Sequence, residues 1–560
     1  MKDVERGRPW AETSVGNQGP GRGLRWAQAG IACVLGLILL GFWVYVDFVQ
    51  PAPFYTIKYD PEMPYLLNSL ATFKSHPYAY FHHPGTPVEL IGTILLAALK
   101  VGARLPSEAL VEWTVANPEV FLRWAHGLIA IGSAATAALI VLWGRPIHAW
   151  PDLLTSSALA AAFFAVLPPH SFDSLAFWSH NSFAFFGGTL LLVLLWIRLR
   201  RAHPLAAWEM VLFGLLAGGM TAFQLYFATW VLGMGVAVAA YTWLETRRLG
   251  RGLAAALAVG ISGFAGFVAA TLPILHRYRE FWWWVRGMVV HQGMFGAGPL
   301  GVTSLAGLGK NFVELWEGGG AVVLALSSLG VLTLGACALL RQGKERAPHA
   351  WSAMAVGLAA QFLVTTALIL KHPRVTYLLA LAGLLPVVLI LAADGLDRLG
   401  RIGRIGVTFL SVGLVLAFLG SGSRSLDGHH DRLASLQASE REVERFLAEY
   451  SQEKGIPRDR LGLLWGFGAP SRCFALRFGN GFADRIFAHE IEDVCPREGL
   501  YNIWEGVIED GLGGGRLEDN DQWDVLVVSQ ELTRQTIVGP GPAFVSSESG
   551  LAYYVREREP

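Results

Sequence analysis

The stretch "VELIGTILLAALKVGAR" (residues 88–104) decides how the chain is threaded. It is apolar for most of its length, and about 20 such residues suffice to cross a bilayer's hydrocarbon. If it crosses, every later loop changes side. If it lies flat, the basic loops "RLRRAHP", "ETRRLGRG", "RQGKERAPHA" and "DGLDRLGRIGR" all share the side of the N-terminus. Cytoplasmic loops carry the excess of Lys and Arg, so the flat reading is preferred.

Outward from that stretch, apolar runs near 27–48, 120–143, 151–167, 182–198, 206–222, 224–244, 252–275, 319–340, 351–369, 375–393 and 405–420 predict about eleven transmembrane helices. The 560 residues are 53% hydrophobic and 16% charged, against about 25% charge in soluble domains. The expected class is an all-α polytopic membrane protein. Residues 1–24 read as a cytoplasmic tail, and the run after them lacks a small-residue cleavage site and reads as a retained first span. Residues 49–119 then form one long outer loop with helices along the bilayer surface.

The zero net charge conceals a division. Residues 421–560 hold 15 Lys and Arg against 24 Asp and Glu, while residues 1–420 hold 29 against 20. A cationic membrane region at 25–420 is therefore expected to join an acidic, extracytoplasmic α/β domain at 421–560. The acidic balance argues against nucleic acid as a partner. "DRLASLQASEREVERFLAEYSQEKG" has helical periodicity, and "LGLLWGF" and "WDVLVVS" read as short strands. If this domain lies outside the cytoplasm, Cys473 and Cys495 could pair.

Polar residues gather on the outer face, in "YDPE" (59–62), "HHPG" (82–85), "PPHSFDSLAFWSHNS" (168–182), "HRYREFWWWVRGMVVHQG" (276–293) and "KHPRVTY" (371–377). A transporter instead places ionisable groups near mid-membrane. An interfacial mixture of carboxylates and cations suits a lipid-linked phosphate. Arg and Lys would hold the phosphate, and a carboxylate would take a proton from an attacking hydroxyl. Asp60 is preferred as that base, with Glu62 as the other candidate, because Pro61 pushes the Asp60 backbone towards extended geometry. Arg277, Arg279 and Arg286, beside "FWWW", read mainly as an interfacial belt.

In order along the chain, an acid (Asp60) follows the first span, then Tyr65, a Pro-bearing "HHPGTP" motif, a surface helix, a second span opening with Arg123, and late in the chain "KHPRVTYLLALAGLLP". Over residues 25–420 this layout resembles the C-type glycosyltransferases, multi-span enzymes that use polyprenyl-phosphate sugars, such as protein O-mannosyltransferases and aminoarabinose transferases. The match departs where Arg374 and Tyr377 stand three apart and where Pro61 splits the acidic motif. The resemblance implies an enzyme moving a sugar from a polyprenyl-phosphate donor to a glycan, lipid or protein hydroxyl, with inversion, at a bacterial inner membrane. Asp60 or Glu62 would be catalytic, and Lys371, His372, Arg374 and Tyr377 would bind donor phosphate. His82, His83, Arg123, Asp173, His180 and Asn181 would support substrate or loop. No cofactor is implied, and the His82–His83 spacing fits no recognised metal-ligand pattern, although a divalent metal is compatible. The alternatives are a transporter or lipid flippase, and a non-catalytic membrane scaffold with an outer binding domain.

Overall fold

The computed structural model describes residues 22–51, 53–55, 59–81, 85–144, 147, 150–165, 177–201, 203–291, 300–301, 305–317, 321–340, 349–397, 401–502, 507–512, 515–517, 520, 522–530, 544–545 and 549–556. Among them, eight helices are long and apolar enough to cross a membrane, and Ala207–Phe223, Val323–Cys337 and Ile405–Leu416 are shorter apolar helices. The protein is thus mainly helical and polytopic. The expected run 151–167 falls on the 16-residue helix Trp150–Ala165. Thr86–Ala103 is among the eight by length and composition.

Helix α1 (Arg22–Val44) continues through a wider turn at Tyr45–Val49. Helices α2 (Tyr59–Phe73), α3 (Thr86–Ala103) and α4 (Ser107–Ala116) precede α5 (Pro118–Trp143). Pro118 opens α5 because proline's fixed φ suits a first helical turn. Gln28 near the start of α1 donates to the carbonyls of Val141 and Leu142, whereas the Trp43 indole donates to the Arg123 carbonyl at 3.2 Å. Helices α1 and α5 are therefore antiparallel, so the segment between them leaves and re-enters at one end of the bundle, called here the loop end. α3 does not make a lone crossing between them. It packs on α2, where the absence of a side chain at Gly92 matters: a Cβ there would stand 2.1 Å from Ser69 Oγ.

The bundle continues through α6 (Trp150–Ala165), α7 (His180–Arg200), α8 (Ala207–Phe223), α9 (Ala228–Thr246) and α10 (Leu249–Thr271). Small residues draw α8 and α10 together, since a Cβ on Gly218 would meet the Gly263 carbonyl oxygen at 1.8 Å and one on Gly266 the Leu215 carbonyl oxygen at 2.2 Å. Without a hydrophobic drive between helices in lipid, such backbone approach is a principal source of packing energy. Helices α11 (Tyr278–Val290), α12 (Leu305–Leu315), α13 (Ala321–Leu340), α14 (His349–Lys371) and α15 (Leu385–Asp397) follow.

Helix α16 (Arg401–Lys454) has 54 residues and runs through the expected boundary at residue 421. The membrane region and the C-terminal domain are joined by continuous helix. Beyond it stand helices α17 (Arg472–Gly481) and α18 (Ala488–Val494) and strands β1 (Leu463–Trp465), β2 (Glu498–Asn502), β3 (Val507–Asp510), β4 (Gly515–Arg516), β5 (Val525–Ser529), β6 (Phe544–Val545) and β7 (Leu551–Val555). The sheet order is β4-β3-β2-β1-β5-β7-β6, with β1 parallel to β2 and β5 and the other pairs antiparallel. Both strands expected from sequence are present, as β1 and β5. A Cys473–Cys495 disulfide closes the α17–α18 region against β2.

This domain sits at the loop end. Tyr55 donates to Glu440 Oε1 at 2.8 Å, Arg472 bonds the Ala116 carbonyl, and Asn68 donates to the Phe482 carbonyl at 3.0 Å. A Cβ on Gly479 of α17 would stand 2.7 Å from Met63 Cβ, so α17 lies directly on α2.

Candidate functional site

The two neighbouring acids of "YDPE" have opposite surroundings. Asp60 adopts φ −106° and ψ 112°, the extended backbone expected before Pro61, and the residue keeps an exposed surface. Protein still crowds its carboxyl on most sides. That burial raises the Asp60 pKa above the ordinary carboxylate range, and the nearby Arg374 charge opposes the rise without cancelling it.

Glu62 is 1% exposed. Its Oε1 receives a bond from His126 Nε2 at 2.7 Å and another from the Trp178 backbone N–H at 2.9 Å. The other ring nitrogen, His126 Nδ1, lies 3.0 Å from both Asp47 oxygens. Asp47, His126 and Glu62 thus form a buried chain that ties the end of α1, the third turn of α5 and the first turn of α2. A carboxylate so engaged positions the loop, and of the two candidate acids only Asp60 is open to a substrate. Asp47 and His126 escaped the reading of the sequence. Their signal was available, as single ionisable residues in the apolar contexts "VYVDFV" and "WAHGLIA".

Behind Asp60, Tyr65 is fully buried, and its hydroxyl shares a 2.6 Å hydrogen bond with His180 Nδ1. Tyr80 packs edge-on to Tyr65 at 5.8 Å between centroids. Burial raises both phenols well above their usual pKa, and the Asp60 charge adds to this, so both stay protonated donors. Serine 179 caps α7 by accepting from the Ser182 N–H at 3.2 Å, which fixes His180 and Asn181 in the first helical turn.

The "KHPRVTY" segment divides. Arg374 is exposed and acts electrostatically on Asp60, while Tyr377 is buried with its ring 4.4 Å from Tyr226. Lys371 bonds the Val289 carbonyl and His372 Nε2 lies 3.1 Å from the Met288 carbonyl. Burial lowers the His372 pKa. These two side chains fasten the end of α11 to the end of α14 and do not reach towards Asp60. Arg123 lies over Phe48 at 5.5 Å, at the junction of α1 and α5. Arg277 bonds the Ala79 carbonyl, stacks on Phe81 at 4.4 Å and pairs with Glu280 at 2.6 Å, pinning the segment before the histidine pair. His82, His83 and Asp173 lie outside the described residues. Among the described residues, no three His, Cys, Asp or Glu side chains gather as a metal-ligand group.

The site therefore reduces to an ionisable carboxylate, a guanidinium and buried phenols at one end of an apolar bundle. That set can accept a proton and neutralise an anion. No protein-family model matches the chain, and no curated protein matches it.

Proposed function

We propose that the protein is a membrane glycosyltransferase of the C-type, taking a sugar from a polyprenyl phosphate and passing it to a hydroxyl on the outer face of a bacterial inner membrane. The observation that carries this reading is the Asp60 carboxylate held near Arg374, where an apolar bundle meets a polar loop layer. Such a boundary suits a donor with a lipid tail and a polar head.

In the proposed step, Asp60 takes the proton of the acceptor hydroxyl as its oxygen bonds to the anomeric carbon. The bond from that carbon to the phosphate oxygen breaks on the opposite face, which predicts inversion. Negative charge grows on the departing lipid phosphate, and Arg374 stabilises it there more than in the ground state. Asp47, His126 and Glu62 hold the Asp60 turn in place. A transport role draws no support from Asp47 and His126, because Asp47 is closed on His126 and His126 in turn on the loop acid Glu62.

The test is glycan analysis of the envelope in a strain lacking the protein, complemented with wild type or Asp60→Asn at equal membrane abundance. A sugar lost in the deletion and restored by wild type alone supports the reading. Full restoration by Asp60→Asn overturns Asp60 as base.

A further inference from the structure

At the end of the bundle away from Asp60, helices α8, α9 and α10 enclose a groove of about 420 Å³. Its place follows from α7, which starts at His180 beside Tyr65 and ends at Arg200, so the chain enters α8 at the far end. Gly214 lies against Val259 and Gly218 against Gly263, so α8 and α10 run in the same direction. Their contact is tight from Gly214 onward, where a Cβ would stand 2.6 Å from the Val259 carbonyl oxygen. Before that point the groove is lined by Ala207 and Met210 of α8 and by Ala254, Ala255 and Ala258 of α10. Short alanine side chains leave the gap between the two helices open.

Ala207, Val211 and Ala254 in its wall are exposed, so the groove opens on the outside of the bundle. Leu212, Leu253 and Leu257 are exposed on the same two helices, a surface suited to hydrocarbon and not to water. The mouth is cationic. Arg251 stands in the wall, and Arg247 and Arg248 lie in the turn that joins α9 to α10. All three are exposed, and among the described residues none makes a side-chain hydrogen bond or ion pair. The acid of the wall, Glu245, is taken by His349 at 2.9 Å. Tyr241 donates to the His203 carbonyl at 3.3 Å, and Thr246 to the Thr242 carbonyl at 2.7 Å. Three unengaged guanidiniums at the head of an apolar groove call for an anion that carries a hydrocarbon tail.

We propose that this groove holds an anionic phospholipid of the surrounding bilayer. One acyl chain lies between α8 and α10, and the headgroup phosphate meets Arg251, Arg247 and Arg248. Basic clusters where helices leave a membrane attract anionic headgroups, and the guanidinium fork matches a phosphate. A zwitterionic lipid is a poorer fit, because its ammonium would need a carboxylate and Glu245 is already paired. The site lies in the leaflet opposite the loop end and does not depend on the transferase reading.

The experiment is native mass spectrometry of the full-length protein in detergent, titrated with phosphatidylglycerol or with phosphatidylcholine of the same chain length. Wild type, Arg251→Gln, Ala254→Phe and Arg279→Gln, the last a cation of the loop end, are compared. Thermal unfolding in lipid-free detergent is the folding control. Wild type is expected to retain one phosphatidylglycerol at concentrations where phosphatidylcholine is lost, and Arg279→Gln to match it. Arg251→Gln should bind that lipid about fivefold more weakly. Ala254→Phe keeps every charge but fills the groove, and should lose the lipid. If Ala254→Phe unfolds, Ala207→Phe on the facing wall decides in its place. Equal retention of the two lipids by wild type overturns the anionic headgroup. Unchanged binding by folded Arg251→Gln or by the folded groove-filling variant overturns the site, as does an equal loss in Arg279→Gln.

Discussion

Asp60 and Glu62 are two residues apart, yet only one faces solvent, and that difference governs what each substitution should do. A general base works ionised, so activity should rise with pH through the Asp60 pKa. Because burial outweighs Arg374 at this carboxyl, the acidic limb of the pH–rate profile is expected above the ordinary carboxylate range. Arg374→Gln removes the opposing charge and should shift that limb further upward while lowering kcat. A limb that stays put would dissociate Arg374 from Asp60. Asp60→Asn should cost about 10²- to 10⁴-fold in rate without loss of stability. Glu62→Gln and His126→Ala should behave differently. Breaking a buried ionic chain by removing one member costs about 3–5 kcal/mol, read as a lower unfolding temperature in detergent. The sequence marked Asp60 through proline's effect on its backbone. It could not separate it from Glu62, because Glu62's partners come from positions 64 and 116 residues away. Pairings at such distances leave no local periodicity to read.

At the level of elements, periodicity and apolar run length identified nearly every long helix, since each must bury or immerse its side chains along its whole length. What they did not reveal is how closely helices approach. Gly218→Leu is expected to wedge α8 from α10 and destabilise the bundle by about 1–3 kcal/mol, measured by thermal unfolding. Gly479→Val should lift α17 from α2 at Met63. Its expected signature is a fall in sugar transfer greater than any fall in unfolding temperature, since α2 carries Asp60. Equal losses of both would reduce Gly479 to a packing role. The Lys371–His372 pair shows the limit of motif reading: two hydrogen-bond donors beside Arg374 in sequence turn to the carbonyls of α11, because a helix end leaves those carbonyls without intrahelical partners.

Across the whole molecule, hydrogen bonds from the first loop to α16 and α17 put the loop and the C-terminal domain at one end of the bundle. Cysteines introduced at the exposed positions Ser75 and His489 should therefore react together with a membrane-impermeant thiol reagent, from the same side of intact vesicles. Opposite-sided labelling would contradict this arrangement. The Cys473–Cys495 link spans a sequence separation of 22 and should contribute about 3 kcal/mol by restricting the unfolded chain. Its reduction is expected to lower the unfolding temperature of the acidic domain.

The uninterrupted α16 has one more consequence, concerning angle. At about 1.5 Å and 100° per residue, its 54 residues act as a shaft about 80 Å long that transmits rotation from bundle to domain. One alanine inserted between Ser421 and Gly428 would turn everything beyond it by about 100° and carry α17 off α2. Seven inserted residues would bring it back to within about 20° of its original heading, raised by about 10 Å. Heading and height are thus separately adjustable in this protein, and a ladder of insertions would reveal which of the two the chemistry at Asp60 depends on.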